Sequence, residues 1–470
     1  MYSGLSSRGP GFESRPEHQN LNFRFCDKMP ALPFPFSLGL SLLEHPLYTC
    51  TPHCLFECRL GRSLEKVDRK RVLFISGSIG LGHIGRDLAI AQALCKLDSR
   101  VEISWLAEDP ASMVLVQAGE NLLPEARLLA HANAKLDNAA KNYRANLASM
   151  VAKMGKEWKG NTQVVAKLLE KEHFDLVVGD ETYELAIEVS GNPEFKRFPF
   201  VMIFDCVGAD SVSHGPVDSI MTYMVNRIWA KAMQAKPPTA ADRSLFIGEP
   251  EDIPDKKFGF MLPNRRQLAV ETLDFVGYIL PFNPPDYVDK PNVRKALGYD
   301  DGPLIVCSIG GTSAGKDLLS LCAKTYPLIK EKLAGLRMVL VCGPLLKPDW
   351  IQAPEGVEVR GYMPELYKHL AASDLCIVTG GGTVTLELTA LRKPFLYFPL
   401  KKHFEQEGAV AYRCKRHGAG VRMDYEKTSP QVLARVVLEN FGKEVHYADI
   451  PTDGAKKAAQ LIQQVLNKAI

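Results

Sequence analysis

Twice along this chain a short apolar run ends in a cluster of glycines and passes into helical spacing. "RVLFIS" leads through "GSIGLGHIGRD" into "LAIAQALCKL", and "DLCIVTGGG" leads into "TVTLELTALR". A brief, wholly apolar run bounded by turn signals fits a strand buried on both faces, and apolar residues three and four apart mark a helix. Strands that alternate with helices in this way build parallel β–α–β units, because parallel neighbours need a crossover and both faces covered.

The alternation fills both halves of the chain. In the first, "VEISWLA", "FDLVVGD" and "FPFVMIF" read as strands, with Asp180 at the carboxyl end of the second, and "YELAIEVS" reads as a helix. Residues 137–170, rich in Ala, Lys and Asn, predict one or two surface helices. "FVGYILPFNPPDYVDKP" is Pro-rich and unpatterned, the mark of a linker. Beyond it "PLIVCSIG", "RMVLVCG" and "PFLYFPL" are strands among helical patterns, and "EQEGAVAYRCKRH" and "GAKKAAQLIQQVLNKA" are helices. The expected fold class is α/β, with two Rossmann-like, doubly wound domains facing each other across a cleft. The expected divisions are an N-terminal extension (1–70), a first domain (71–276), a linker (277–300) and a second domain (301–452). A final helix over 453–470 would cross back to the first domain.

Composition removes several classes. At 470 residues the chain exceeds one ordinary core. A net charge of +3 gives no basic face for nucleic acid, so no nucleic-acid partner is expected. Of eleven cysteines, those after residue 70 are dispersed, several inside strand-like runs, which points to a reducing cytoplasm and not to a disulfide framework. No stretch reaches the roughly 18 apolar residues of a membrane span. "ALPFPFSLGLSLLEHPLY" is broken by prolines and holds Glu44 and His45, and it lacks the basic start of a signal peptide. "CTPHCLFEC" spaces Cys50, Cys54 and Cys58 unlike common zinc or iron–sulfur sites. "GFESRPE" back-translates to a run resembling a transfer-RNA arm, so residues 1–70 are expected to be poorly structured or to precede the true start.

The glycine turns carry the chemistry. "CSIGGTSAGKD" mimics a P-loop from Gly310 to Lys316, but Asp317 occupies the place of the magnesium-binding hydroxyl and would repel phosphates. What remains is a set of backbone N–H groups at a helix start, from Gly310, Gly311, Thr312 and Ser313, suited to a diphosphate, or else a plain strand-to-helix turn. In "TGGGTVTLELTALR", Gly380, Gly381 and Gly382 let a ligand approach the backbone and Thr383 offers a hydroxyl. Glu387 lies within two turns, near enough to accept hydrogen bonds from ribose hydroxyls. "GSIGLGHIG" does not hold a G-x-G-x-x-G register, and no acidic residue closes "VEISWLA" before Glu108, which weakens a hydride-transfer reading.

Taken with "KKHFEQEGAVAYR" about twenty residues on, the second glycine turn resembles the donor-binding signature of GT-B glycosyltransferases of families 28 and 1. The resemblance spans residues 71–470. It implies Glu387 as the ribose-binding glutamate and Glu405-Gln406 as the pair holding the donor sugar. Thr379 stands where plant-type members carry a phosphate-binding histidine, and Glu405 replaces their aspartate. Gly80-Leu81-Gly82-His83 resembles the first-strand loop of the lipid II-forming enzyme, with Gly80 and Gly82 on the acceptor side. The resemblance implies His83 as general base and Asp180 as its orienting carboxylate. It also implies an inverting hexosyl transfer, most simply from a UDP-sugar. No cofactor is implied beyond the nucleoside diphosphate sugar as co-substrate, and no metal.

Gly80 to Asp87 also closely resembles the loop of nucleotide-sugar hydrolases of the pseudaminic-acid pathway, in which the histidine activates water, but the second glycine turn, Glu387 and Glu405-Gln406 favour the transferase. A non-catalytic nucleotide-sugar-binding subunit is a third reading, against which the His83 and Asp180 pair counts. The acceptor, whether lipid, saccharide or small molecule, is left open, as is oligomeric state. "SIMTYMVNRIWAKAM", with Trp229, Arg227 and Lys231, is amphipathic and leaves peripheral membrane contact open beside ordinary helix packing.

Overall fold

A computed structural model describes residues 69–77, 81–129, 147–211, 215–235, 240–311, 313–403 and 405–468. The expectations for residues 1–68, the Cys50 spacing included, lie outside the described residues, as do Gly80 and Thr312.

The first domain runs β1 (Lys70–Ile75), α1 (Gly82–Leu97), β2 (Val101–Leu106), α2 (Ala111–Gln117) and α3 (Leu147–Lys171). It continues with β3 (Leu176–Asp180), α4 (Tyr183–Gly191), β4 (Phe200–Phe204), α5 (Pro216–Gln234), β5 (Arg243–Ile247), α6 (Arg265–Thr272) and β6 (Asp274–Gly277). Its strands pair in the order β2-β1-β3-β4-β5-β6, all parallel. β1, β3 and β4 are buried along almost their whole length, which is why each reads as an unbroken apolar run instead of an alternation.

The second domain opens with α7 (Lys290–Leu297), then β7 (Leu304–Ser308), α8 (Lys316–Lys330), β8 (Arg337–Val341), β9 (Val357–Arg360) and α9 (Leu366–Ala372). It closes with β10 (Leu375–Thr379), α10 (Gly382–Ala390), β11 (Phe395–Phe398), α11 (Ala411–Arg416), β12 (Val421–Arg422), α12 (Pro430–Asn440) and α13 (Gly454–Lys468). Its sheet is again parallel, in the order β12-β11-β10-β7-β8-β9. α7 corrects the reading of residues 277–300 as a plain linker. Asp289 caps it by accepting from Asn292 N, and Gly298 ends it at φ 71°.

In each sheet the chain leaves one strand and returns on its other side. The crevice this makes lies at β1/β3 in the first domain and β7/β10 in the second, where ligands of doubly wound sheets bind.

The last helix belongs to the first domain by packing. Ala458, Ala459, Ile462 and Leu466 of α13 join Ile90, Ala91 and Leu94 of α1 in one buried cluster. The chain therefore crosses between domains twice, and the crossings touch: Tyr278 N donates to Pro451 O at 2.9 Å and Gly454 N to Tyr278 O at 3.2 Å. Arg416 at the end of α11 reaches across to Glu249 Oε2 at 2.7 Å and to Asp252 Oδ1 at 2.8 Å. Because α1 carries His83, α13 clamps the site from behind. Ile462→Ala should lower stability by about 2–5 kcal/mol through the cavity it leaves. Chemical denaturation measures this, and an unchanged midpoint would mean that the helix is not docked.

Candidate active site

Strand order brings the first half of the site together. β1 and β3 are neighbours, so the turn after β1 and the end of β3 open on the same point. His83 is the second residue of α1 and Asp180 the last of β3, and His83 Nδ1 lies 2.8 Å from Asp180 Oδ2. Arg86, three residues on and so on the same helix face, is buried behind them. Its Nε and Nη2 donate to Asp180 at 2.9 and 2.6 Å, and its Nη1 donates to Asp205 Oδ2 at 2.6 Å. Arg86 Nη2 also comes within 2.8 Å of His83 Nδ1. We place the proton on Nδ1, because the nitrogen faces a carboxylate and the guanidinium is already satisfied by two acids. Nε2 then carries the lone pair.

Charge sets the basicity of this histidine. Burial and the Arg86 charge both oppose its protonation, yet Asp180, helped by Glu181, outweighs them and raises the imidazole to about 9. Asp180, despite burial, is held well below the usual carboxylate range by Arg86 and His83. Glu181 follows Asp180 in the left-handed region at φ 51° and carries its Oε2 to 3.8 Å from His83 Nε2. Burial and the neighbouring Asp205 push the Glu181 carboxyl well above its ordinary value.

Two glycines of the opening loop have identifiable steric duties. A Cβ on Gly77 would lie 3.0 Å from both the His83 ring and the carbonyl oxygen of Asp180. A Cβ on Gly82 would overlap Thr383 Oγ1, which belongs to the other domain.

The second half of the site is built the same way from β7 and β10. Gly310, at φ 76°, and Gly311 follow β7, while Gly380 and Gly381 follow β10 and α10 starts at Gly382. Gly380 is pressed against β11's exit, where a Cβ would come 2.8 Å from Pro399 Cα. Glu387 on α10 is 9% exposed, its carboxyl makes no hydrogen bond to another described residue, and burial pushes that carboxyl up to about 8. Glu405 opens a π-helical segment, Glu405–Val410, and burial together with Asp205 raises it to about 7. Gln406 Oε1 accepts from Leu400 N at 2.9 Å, which leaves its NH2 end for a ligand. Lys316 turns over the Trp350 ring at 5.7 Å, so the P-loop mimic offers no lysine to the cleft.

Between the two halves lies a cavity of about 2260 Å³. That exceeds the roughly 300–1,000 Å³ of an ordinary single-ligand pocket and leaves space for two substrates. His83, Gly82, Gly310, Gly311, Gly381, Gly382, Thr383, Glu387, Glu405 and Gln406 all line it, whereas Asp180 stands behind His83 and neither Ser313 nor Gly380 reaches it. The reading of the sequence missed Glu181 and Asp205, although "FPFVMIFD" does end a buried strand in an acid. It also missed Tyr362, Met363, Pro364 and Leu366, which wall the second-domain end. The first-domain end is mixed: Trp158, Tyr183, Ile187, Ile228, Trp229 and Met233 give it an apolar stretch, and Lys196, Arg197, Asp242, Arg243 and Asp274 line it as well. Trp229 stacks edge-on to Tyr183 with ring centroids 5.6 Å apart, while Val217, Ile220, Met224 and Ile228 form an exposed stripe along α5. Glu181, Asp205 and Cys206 each present a donor atom within 4.8 Å of the others, but Asp205 is already engaged by Arg86. No helix among the described residues is long and apolar enough to cross a membrane.

Residues 305–465 match the glycosyltransferase family 28 C-terminal domain. The glycotransferase of kitacinnamycin superposes with a TM-score of 0.54 at 15% identity, over 85% of this chain and 96% of that one. The fold is GT-B. An uncharacterized glycosyltransferase of Methanosarcina mazei is 34% identical over 192 residues, 36% of this chain and 50% of its own. The UDP-N-acetylglucosamine--N-acetylmuramyl-(pentapeptide) pyrophosphoryl-undecaprenol N-acetylglucosamine transferase of Clostridioides difficile is 24% identical over 219 residues, 43% of this chain and 51% of its own. The chain spans about half the length of the curated relatives it matches. It resembles glycosyltransferases of families 28 and 1.

The His83 network is directly measurable. NMR titration of the His83 imidazole should give a midpoint near 9. Asp180→Asn should lower it, because the carboxylate that favours the imidazolium is gone while the Arg86 charge stays. A midpoint unmoved by that substitution would break the coupling inferred from the 2.8 Å contact.

Proposed function

We propose that this GT-B chain transfers a hexose from a nucleoside diphosphate sugar to an acceptor hydroxyl with inversion, with His83 as general base. The observation that carries this reading is the position of His83. His83 lines the cavity between a second-domain wall of glycine turns and a first-domain wall that includes aromatic and aliphatic side chains, and its Nδ1 is turned to Asp180. A UDP-sugar is the donor favoured by the likeness to the Clostridioides difficile enzyme.

Each part of the donor has a counterpart. The diphosphate would rest at the start of α10, where unpaired backbone N–H groups and the helix dipole favour anions without a lysine. The Glu387 carboxyl would accept from ribose hydroxyls, whose donation favours its ionised form. Glu405 and the Gln406 NH2 would hold the sugar, and Tyr362, Met363, Pro364 and Leu366 offer apolar surface to a base. Since backbone amides supply the charge stabilisation, we expect turnover to survive EDTA.

In the reacting complex, the acceptor oxygen attacks C1 while its proton passes to His83 Nε2. The C1–O bond to the diphosphate breaks, and its electron pair leaves with the nucleotide. Asp180 steadies the imidazolium that forms, as a carboxylate does in a catalytic triad. The active form is neutral His83, a minority of about one in a hundred at pH 7 for a group titrating near 9. The rate of the chemical step should therefore rise about tenfold per pH unit and level off near 9. A stronger base is scarcer in its active form but accepts the proton with greater driving force.

His83→Ala should cut turnover by roughly 10²–10⁴-fold while calorimetric UDP affinity is unchanged, since the two contacts lie in different domains. Glu387→Ala should instead weaken UDP binding, by roughly tenfold for a hydrogen bond to a charged group. The decisive experiment incubates the protein with a nucleotide-sugar panel, with and without lipid and saccharide extracts. Inverted glycosides that form only with an extract support the reading. Retained configuration, or UDP release that never needs an acceptor, would refute it.

A further inference from the structure

Glu181 occupies a place the transfer chemistry above leaves unexplained. Its carboxyl lines the cavity on the Nε2 side of His83, opposite Asp180, and makes no hydrogen bond to another described residue. Its backbone is fixed there. β4 holds the Glu181 N–H through Ile203 O at 2.9 Å, and φ is 51°, a conformation that side-chain-bearing residues adopt rarely and that the surrounding structure must impose. Asp205 and Cys206 border it without pairing with it: Asp205 is taken by Arg86, and the only contact of the Cys206 thiol with a described polar group is at 3.9 Å from Tyr183 OH. Glu405 lines the same cavity from the other domain, and the donor that faces the Glu181 carboxyl, His83 Nε2 at 3.8 Å, is lost when His83 is the neutral base.

The separation between Glu181 Oε2 and His83 Nε2 is 3.8 Å. An oxygen could stand about 2.8 Å from both atoms, off the line joining them. A reacting hydroxyl, however, has one proton, and that proton goes to Nε2. An ionised Glu181 can gain nothing from the same oxygen, and a protonated one would donate to it and blunt the nucleophile. The carboxylate needs a second donor beside the first. Adjacent hydroxyls of a gauche diol are separated by about one hydrogen-bond length, which matches this demand.

We infer that Glu181 is an acceptor-positioning residue that binds a second hydroxyl next to the one His83 deprotonates, so that the acceptor is a polyol with vicinal hydroxyls, as in a saccharide. This rests on the transfer reading. The carboxylate accepts from the second hydroxyl, turns the first toward Nε2, and is itself drawn toward its ionised form. A monohydric acceptor would leave this half-buried carboxylate without its second donor, the arrangement by which polar sites reject analogues lacking a group.

The test compares trans-1,2-cyclohexanediol with cyclohexanol as acceptors, and trans-2-aminocyclohexanol as a third, with whichever UDP-sugar the wild-type protein turns over. The diol should exceed the mono-ol in kcat/KM by roughly 10–100-fold, the range of a hydrogen bond to a charged group, with most of the difference in KM. Glu181→Ala should bring the ratio to about one, and Glu181→Gln, which keeps an acceptor oxygen, should retain part of it. Both variants keep a Cβ and the same backbone demand, and their UDP affinity should equal that of wild type, which separates recognition from misfolding. Equal use of diol and mono-ol by the wild type, or a ratio unmoved in Glu181→Ala, overturns the inference. So does a preference for the amino alcohol, which would assign the site to an ammonium. Failure of the wild type to turn over any nucleotide sugar, even with the extracts, would instead remove the transfer reading.

Discussion

The charge on Arg86 is the constraint around which the first domain is arranged. A guanidinium buried beneath the sheet's carboxyl edge must be paired, since an unpaired buried charge costs several kcal/mol. Two acids meet it, Asp180 from the end of β3 and Asp205 just past the end of β4. Two carboxylates against one guanidinium leave an excess of negative charge, and His83, in contact with Asp180, offsets it by taking a proton. Its raised basicity is therefore a result of charge balance in the pair that anchors α1, and not of its own exposure. One buried ion cluster fixes the helix, orients the imidazole and sets its proton affinity.

The two domains meet the same topological problem with different chemistry. Both place their turns at a crevice between strands that the chain reaches from opposite directions. The first fills its crevice with side-chain charge, while the second keeps its crevice almost bare, with glycines and a helix start. Its acids, Glu387 and Glu405, are pushed toward neutrality by burial, so the second-domain wall carries less negative charge than its composition implies. An anion is better accommodated there than on the side of Asp180 and Asp205.

Much of this was legible in the sequence, though unevenly. The buried strands announce themselves as apolar runs because both sheet faces are covered, and the glycine turns mark the places where backbone must approach a neighbour. His83 and Asp180 are 97 residues apart, and no spacing rule joins them. The resemblance paired them, and the adjacency of β1 and β3 explains the pairing. α7 was missed although Asp289, Pro291 and Gly298 form a regular start and stop, because the prolines around it read as linker. β5, β9 and β12 are short or half-exposed and carry too little pattern to stand out. The conformation of Glu181 could not be read at all: glutamate has no preference for φ 51°, and only the surrounding strands impose it.

The paired crossings between the domains, at Tyr278 and at Pro451–Gly454, alter what kind of motion the cleft can make. A single connecting strand can twist as freely as it bends. Two strands hydrogen-bonded side by side behave as a strap, pliant across its width and stiff in torsion. Opening and closing would then follow one arc, and Glu405 would return to the same face of His83 on every cycle.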